Sequence, residues 1–298
     1  MGIKVRDFEV RLARTNEEKR QVRRLRYEVF VVEEGFKATE EQNHLREEYD
    51  RFDTHADYMA VFHQGNVVGA YRIIDRKAAE KMHGFYSEDE YNIRKIKKVR
   101  GNIVEVSRAC IKREYRNNPL AMSMLWLGMG DYVCKRKVVL LFGLCSWIGL
   151  NPAASAHAIS YLYYNNLAPR ALRTTVMKRV MKSKGLDPKS ARMNILPKEA
   201  IDKQIARTQM TPLLKGYLNL GAMFGNGVST DIDQNSYVVL VILPATRVRA
   251  AYQKRFGGRE NAFQHLEFDM GGRRKFGRML FAPILRAIGK TRMMVPIA

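Results

Sequence analysis

Apolar side chains recur along this chain with two different periods. Over 8–13 they alternate with polar ones, which predicts a strand. Over 16–31 the stretch is charged, but Val22, Leu25 and Val29 fall at helical spacing and predict a helix. Positions 38–51 are polar and predict a loop or a short helix. Two apolar runs, 57–62 and 67–74, flank His63-Gln64-Gly65-Asn66, a β-hairpin signal with Gly and Asn in the turn. A further strand is predicted over 103–111. The next stretch, 119–134, is apolar along most of its length and follows Asn117-Asn118, a helix cap with Pro119 in the first turn. The unbroken apolar run 138–144 predicts a buried strand. Asn151-Pro152 opens a helix through 164, positions 217–224 and 237–243 predict late strands, and 248–256 predicts a last helix. This order of elements gives an α/β fold, without internal repeats or low-complexity segments.

Composition adds a core and a polarity. With 46% apolar residues the chain has enough to bury a core, and its formal charge of +22 is unevenly spread. The stretches 170–215 and 246–298 carry +9 each, leaving about +4 for the rest. Basic appendages on a near-neutral core point to an acidic partner: nucleic acid, anionic lipid or an acidic protein. No stacking platform or reader motif is present, so nucleic acid is not expected. The expected organisation is one folded domain over 1–257, with a basic insertion at 170–210, and a basic tail over 258–298. In that tail Phe276, Leu280, Ile284 and Ile288 recur every fourth position among arginines and lysines. A basic amphipathic helix, kinked at Pro283 and lying on an anionic membrane surface, fits this pattern. A terminal helix docked on the domain and a disordered tail are the alternatives.

Cys110, Cys134 and Cys145 have no metal-ligand spacing and sit in apolar runs, so buried free thiols in a reducing compartment are expected. The six histidines are scattered, and no metal site is expected. The N-terminus has no signal-peptide core, and no apolar run approaches the ~20 residues needed to span a bilayer. The expected location is cytoplasmic, peripheral on the inner face of the membrane. Neither a phosphate-binding glycine loop nor a GxSxG elbow occurs.

Chemistry concentrates in two places. In the strand 103–111, alternation puts Glu105 and Ser107 on one face and Arg108 on the other. A carboxylate inside an apolar strand is costly unless paired. Glu105 is thus either half of an ion pair, with an arginine such as Arg72, or a carboxylate at a reacting centre. In Tyr49-Asp50-Arg51-Phe52-Asp53, the two aspartates are either solvated loop acids or part of an acidic pocket. Glu33, Glu34 and Glu105 would complete that pocket for a cationic amino acid, with Arg26 and Arg72 orienting the acids through bidentate contacts.

Several longer stretches carry a resemblance: RLRYEVF (24–30), YDRFD (49–53), VVGAYRI (67–73), GFYSEDEYNI (84–93), EVSRACIKREYR (105–116), LLFGLCSWIGLNPAASAHAISYLY (140–163) and PLLKGYLNLGAMFGNG (212–227). Through them, from about residue 10 to 256, the chain resembles the bacterial ornithine–acyl-carrier-protein N-acyltransferases of ornithine lipid synthesis. These are GNAT-like relatives of the acyl-homoserine-lactone synthases. The first five stretches are partly shared with those synthases, and the last two look like the lipid-forming branch.

The resemblance implies a GNAT-like mixed sheet flanked by helices, with a splayed gap between 103–111 and 138–144. It implies transfer of a (3-hydroxy)fatty acyl group from acyl carrier protein to the α-amine of ornithine, with no cofactor beyond the carrier's phosphopantetheine thioester. By position, Glu34, Asp50, Asp53, Arg72, Glu105 and Arg108 match the charged residues of the wider superfamily's site. Glu105, Ser107 and Arg108 are then the expected catalytic group. Arg26, Glu34, Asp50, Asp53 and Arg72 are expected to bind the acceptor. Cys110, Arg116, Leu140 and Phe142 are expected beside the acyl-pantetheine arm. Backbone N–H groups around 107–110 would hold the oxyanion, and basic segments would dock acidic acyl carrier protein and the membrane. The sequence departs from the pattern at Tyr58 and at Leu127, where the lipid-forming relatives often have His. Acyltransfer to glycine, serine, glutamine or lysine, autoinducer synthesis, and a non-enzymatic membrane-binding protein are the rival readings.

Overall fold

A computed structural model describes residues 2–257, so the expected membrane-lying tail over 258–298 lies outside the described residues. The chain opens with the edge strands β1 (Ile3–Val5) and β2 (Phe8–Leu12). Helix α1 (Asn16–Arg26) starts at a capping box: Thr15 Oγ1 accepts from the Glu18 N–H, and the Glu18 carboxylate accepts from the Thr15 N–H. The helical run then widens into a π-turn, Tyr27–Glu33, so that Val22, Leu25, Val29 and Phe30 are all buried. A short α2 (Glu40–Leu45) lies in the polar stretch.

β3 (Asp57–His63) and β4 (Asn66–Asp75) meet at a two-residue turn. Gln64 and Gly65 there have φ of 51° and 80°, and paired left-handed residues match the twist of a hairpin. Asn66 already pairs with His63 in the ladder.

After α3 (Arg76–Lys81), β5 (Tyr91–Asn92) and α4 (Arg94–Lys97), the chain enters β6 (Asn102–Ile111). Helix α5 (Pro119–Arg136) begins where its cap predicts, with Asn118 Oδ1 accepting from the Leu120 N–H, and it leads into β7 (Val138–Ile148). Next come α6 (Ala156–Asn166), β8 (Thr175–Val176), α7 (Lys178–Ser183) and α8 (Lys203–Gln209). The last elements are α9 (Pro212–Leu220), β9 (Met223–Asp231), β10 (Ser236–Pro244) and α10 (Ala250–Gly257).

The described strands order as β1-β2-β3-β4-β6-β7-β10-β9-β8-β5. Pairing is antiparallel except at β6/β7 and β8/β9, which gives the mixed sheet expected. Helix α1 covers a small apolar cluster that includes Tyr58, Ala60, Ala70 and Cys110. Helix α5 packs on the larger core, which continues to the far end of the sheet.

One expected strand is a helix. Positions 217–224 alternate enough to suggest a strand, but the chain is helical through Leu220 and extended only from Met223. Local punctuation overrides the alternation. Thr211 Oγ1 accepts from the Leu214 N–H, Pro212 occupies the first turn, and Gly221 ends the helix with φ of 102°. Full burial of Leu214 then holds α9 down, worth about 2 kcal/mol.

The basic stretch 170–210 folds against the far end of the sheet. Leu172, Met181, Met193 and Ala206 are buried in it, while most of its lysines and arginines are exposed. Lys184 bonds Glu90, and Glu90 bonds Ser229, which ties the stretch to β9. Among the described residues, no helix is long and apolar enough to cross a membrane.

Candidate active site

β6 and β7 pair from Asn102↔Val138 to Glu105↔Phe142, with a one-residue slip after Asn102, and pair no further. Beyond that point β6 stays with β4 to Ile111, and β7 stays with β10 to Ile148. The two strands therefore open into a V with Glu105 and Phe142 at its crotch. Past Glu105, β6 has no strand on its β7 side among the described residues, so its outer backbone groups are free of the ladder. Gly143 follows at the fork, where a Cβ would stand 2.0 Å from the Val106 carbonyl oxygen. Only glycine permits the backbones to come that close before they part.

On the α5 side of the V lies a cavity of about 70 Å³, lined by Val106, Met129, Leu144, Leu220, Val241 and Leu243. Tyr71, Trp126 and Tyr217 complete its wall together with Phe142.

On the α1 side, six charged side chains close a ring of alternating sign. Arg26 bonds Glu48 and makes a bidentate pair with Asp53, at 2.7 and 3.0 Å. Glu48 accepts from Arg108 Nε at 3.0 Å, and Arg108 reaches Asp50 at 3.2 Å. Asp50 accepts from Arg72 at 2.5 Å, and Arg72 returns to Asp53 at 3.4 Å. Three cations and three anions cancel. Burial alone would raise both aspartates, but the surrounding guanidiniums hold them below the usual carboxylate range: Arg72 and Arg108 for Asp50, Arg26 and Arg72 for Asp53. Asp53 also accepts from the Tyr58 hydroxyl and from the Asp50 N–H, so its lone pairs are fully engaged. The Asp50 side chain is still 25% exposed.

A β-bulge sets this arrangement. Ala70 pairs with Cys110 and Arg72 with Ser107, so β6 carries one extra residue, and Arg108 takes the left-handed φ of 53°. Simple alternation puts Arg108 on the face opposite Ser107. The bulge corrects that expectation by turning the Arg108 guanidinium into the same ring as Arg72, whose Nε bonds Ser107 Oγ at 2.9 Å.

Glu105 lies beside this ring. It is fully buried, and its Oε1 accepts from the Ser87 N–H at 2.8 Å. Its Oε2 and the Nη2 of Arg72 are both buried without a hydrogen-bond partner. Pairing of Arg72 with Ser107, and of Ile74 with Glu105, puts both side chains on one face. Burial pushes the Glu105 carboxyl up to about 7, against the Ser87 bond and the Arg72 charge, which lower it. A carboxyl that titrates near neutrality can exchange protons at cellular pH.

The remaining expected residues lie apart from the ring. Phe142 is at the crotch with its ring against Phe85, 5.0 Å between centroids. Leu140 is fully buried where β7 still pairs with Ile103. Cys110 packs beneath α1, where burial pushes its thiol up to about 12. Glu34 is half-buried just beyond the π-turn, and burial raises its carboxyl against the opposing charge of Arg116. Arg116 pairs with Glu33 at 2.7 Å and bonds the Ile111 carbonyl.

Residues 25–127 match the acetyltransferase (GNAT) domain family. The L-ornithine N(alpha)-acyltransferase of Brucella abortus is 34% identical over 87% of this chain and 92% of its own length. That of Rhodobacter capsulatus is 31% identical, over 85% of this chain and 97% of its own. The chain belongs to the L-ornithine N(alpha)-acyltransferase family. Among solved structures, the AHL synthase LasI aligns at 14% identity with a TM-score of 0.44, over 85% of this chain and 96% of that one.

In this acyltransferase two supports of the ring carry almost no signal in the sequence. Glu48 bridges Arg26 and Arg108, and its only signal is its place next to the YDRFD stretch. Tyr86 accepts from Arg108 at 3.1 Å and from Gln234 at 2.6 Å. Both Arg72 and Arg108 stand over its ring, at 5.1 and 4.9 Å, so it is a platform for two guanidiniums. Its only signal is its place inside GFYSEDEYNI (84–93), because its partners are distant in sequence.

Proposed function

We propose that this acyltransferase moves a fatty acyl group from the phosphopantetheine thioester of acyl carrier protein to the α-amine of ornithine, making a lyso-ornithine lipid. The names of the relatives support ornithine as the acceptor. The observation that carries the mechanism is the position of Glu105: at the crotch of the V, beside a buried arginine, with one carboxylate oxygen unpartnered.

In this reading the donor arm enters the V from its open end, and the acyl chain turns into the apolar cavity on the α5 side. The acceptor comes from the α1 side, with its α-carboxylate on Arg72 Nη2 and its α-amine toward Glu105 Oε2. Two adjacent groups of opposite charge match two adjacent buried partners of opposite charge, which supports an α-amino acid there. An α-ammonium titrates near pH ~8, so a carboxylate at about 7 is a competent base.

The freed amine attacks the thioester carbonyl carbon. The C–N bond forms, the C–S bond breaks, and the carrier thiol departs with the second amine proton. Free N–H groups of β6 from Ser107 to Cys110 stabilise the oxyanion, and Arg108 positions that bulged backbone. Asp50, through its exposed edge, would hold the side-chain ammonium, and Glu34 lies apart, toward Arg116. Asp53 and Arg26 fix Asp50 and Arg72 in place. Leu140, Phe142, Cys110 and Arg116 border the two arms of the V. The thioester is a substrate, and the scheme needs no further cofactor. Exposed lysines and arginines of 170–210 are suited to an acidic carrier protein and to an anionic membrane surface.

Acyl carrier protein loaded with a fatty acyl group, mixed with a pool of labelled amino acids and the enzyme, tests this by mass spectrometry. N-acyl-ornithine is the expected product. A different N-acyl amino acid would move the acceptor, and no product from folded enzyme would sink the proposal.

A further inference from the structure

Glu105 is held from one side by a single helical turn, Tyr86–Asp89, and the residue before it. Three consecutive side chains there meet the site. Phe85 packs edge-on against Phe142 at the crotch, and Tyr86 lies under Arg72 and Arg108. Ser87 donates its N–H to Glu105 Oε1 at 2.8 Å. Five buried side-chain polar atoms among the described residues lack a hydrogen-bond partner, and three belong to this spot: Ser87 Oγ, Glu105 Oε2 and Arg72 Nη2. Their clustering asks for a local reason.

A buried hydroxyl without a partner costs about 1–3 kcal/mol. One left idle beside a carboxyl that can ionise has its use in the ionised state, because the hydroxyl is a rotor and a carboxylate is a pure acceptor. Burial raises the Glu105 carboxyl, and the Ser87 hydroxyl, the Ser87 N–H, the Arg72 charge and the Tyr86 N–H draw it back. These groups face it from the turn and from β4. From β7 it meets Phe142, which brings no charge.

The turn is fixed from the basic stretch. The Ser87 carbonyl accepts from the Glu90 N–H at 3.2 Å. Glu90 is buried, and its carboxylate bonds Lys184 of α7 and Ser229 of β9. Lys184 also donates to the Thr230 carbonyl at 3.1 Å, and the Met177 N–H donates to the Glu90 carbonyl at 3.0 Å. Burial and the nearby Asp231 raise the Glu90 carboxyl, while Lys184 and Ser229 lower it. A continuous chain of bonds thus runs from Lys184 through Glu90 and Ser87 to Glu105.

We propose that Ser87 is a positioning residue for the base, and that the Glu90–Lys184 pair positions Ser87 in turn. The Ser87 N–H holds Glu105 Oε1 and so aims Oε2 at the acceptor. Its hydroxyl donates to the carboxylate before proton transfer and is released after it. This rests on the acyl-transfer reading with Glu105 as base. It gives the basic stretch a part in the chemistry, separate from any part in docking.

The test is the pH profile of kcat, with KM for acyl carrier protein, in wild type, Ser87→Ala, Lys184→Met and Lys184→Arg. Ser87→Ala should move the midpoint of the rise in kcat upward by about one pH unit. Turnover below pH ~6 then falls about tenfold, while at pH ~9 it stays within about threefold of wild type. Lys184→Met should move the midpoint the same way, and Lys184→Arg should return it toward wild type. KM for the carrier protein should stay within about twofold throughout. Circular dichroism checks the fold, and should Ser87→Ala fail to fold, the two Lys184 variants carry the test. A midpoint unmoved in folded Ser87→Ala, with equal loss at every pH, would overturn the inference. So would a midpoint moved there and not in Lys184→Met. Absence of product from wild type would instead overturn the acyl-transfer reading beneath it.

Discussion

The two sides of the V are built on opposite plans. The α1 side is a closed ring of guanidiniums and carboxylates, in which Asp53 alone meets five donors. The α5 side is an apolar cavity whose polar content is a pair of tyrosine hydroxyls and an indole. A saturated ionic network is stiff, because removing any member strands another buried charge. An apolar wall grips without direction and tolerates change of shape. The contrast teaches where the chemistry belongs. Most of the charge is committed to holding geometry, and the unpartnered Glu105 Oε2 and Arg72 Nη2 stand where the two plans meet.

Glu105→Gln breaks the comparison at that meeting point. It keeps shape and the bond to Ser87 while removing the proton acceptor, so turnover should fall by about a thousandfold with the fold retained. Steady-state kinetics beside circular dichroism checks this, and near-wild-type turnover would remove Glu105 from the role of base. On the ring side, Arg26→Ala leaves three buried carboxylates facing two guanidiniums and should cost about 3 kcal/mol or more in denaturant unfolding. A loss below about 1 kcal/mol would mean that the ring is not what holds this face together.

The pH response follows from the same contrast. The Glu105 carboxyl is raised from 4.5 to about 7, so the folded state holds its proton more tightly than the unfolded chain does. Its stabilising contribution is complete below the unfolded value and is lost as pH rises through about 7. Between about pH 5 and pH 8, wild type should lose about 2–3 kcal/mol relative to Glu105→Gln. Activity should move the other way and rise through the same range, as the base ionises. The aspartates of the ring are depressed, and their contribution is lost only in acid. A flat stability difference between the two proteins across that range would contradict the buried protonated carboxyl.

The smallest expected effect is on the tolerant side. Leu144→Trp fills part of the cavity and should reduce turnover of long acyl donors about tenfold more than that of short ones. Its cost in stability should be about 1–3 kcal/mol, as for other overpacked walls. Equal loss across chain lengths would separate the cavity from the acyl chain.

The strands and helices that frame the V can be read from the order of residues alone, because periodicity and caps are local. The hairpin between β3 and β4, the Asn118 cap of α5 and the run into β7 are written in neighbouring residues, although the turn itself is Gln64-Gly65 and not Gly65-Asn66. The sequence also singles out Glu105, since a carboxylate in an apolar strand is anomalous wherever the strand lies. Alternation alone does not reveal α9, where a short alternating stretch competes with a Thr-Pro start and a Gly stop. Tertiary structure decided what depends on distant partners: the bulge that turns Arg108 into the ring, Glu48 and Tyr86 as its supports, and the engagement of Asp53. It also decided the facing hydroxyls of Tyr71 and Tyr217, which lie far apart in the chain. Local rules fix which way a side chain leaves the backbone. Only the packed sheet fixes which charges and hydroxyls then meet, and whether burial leaves any of them unpaired.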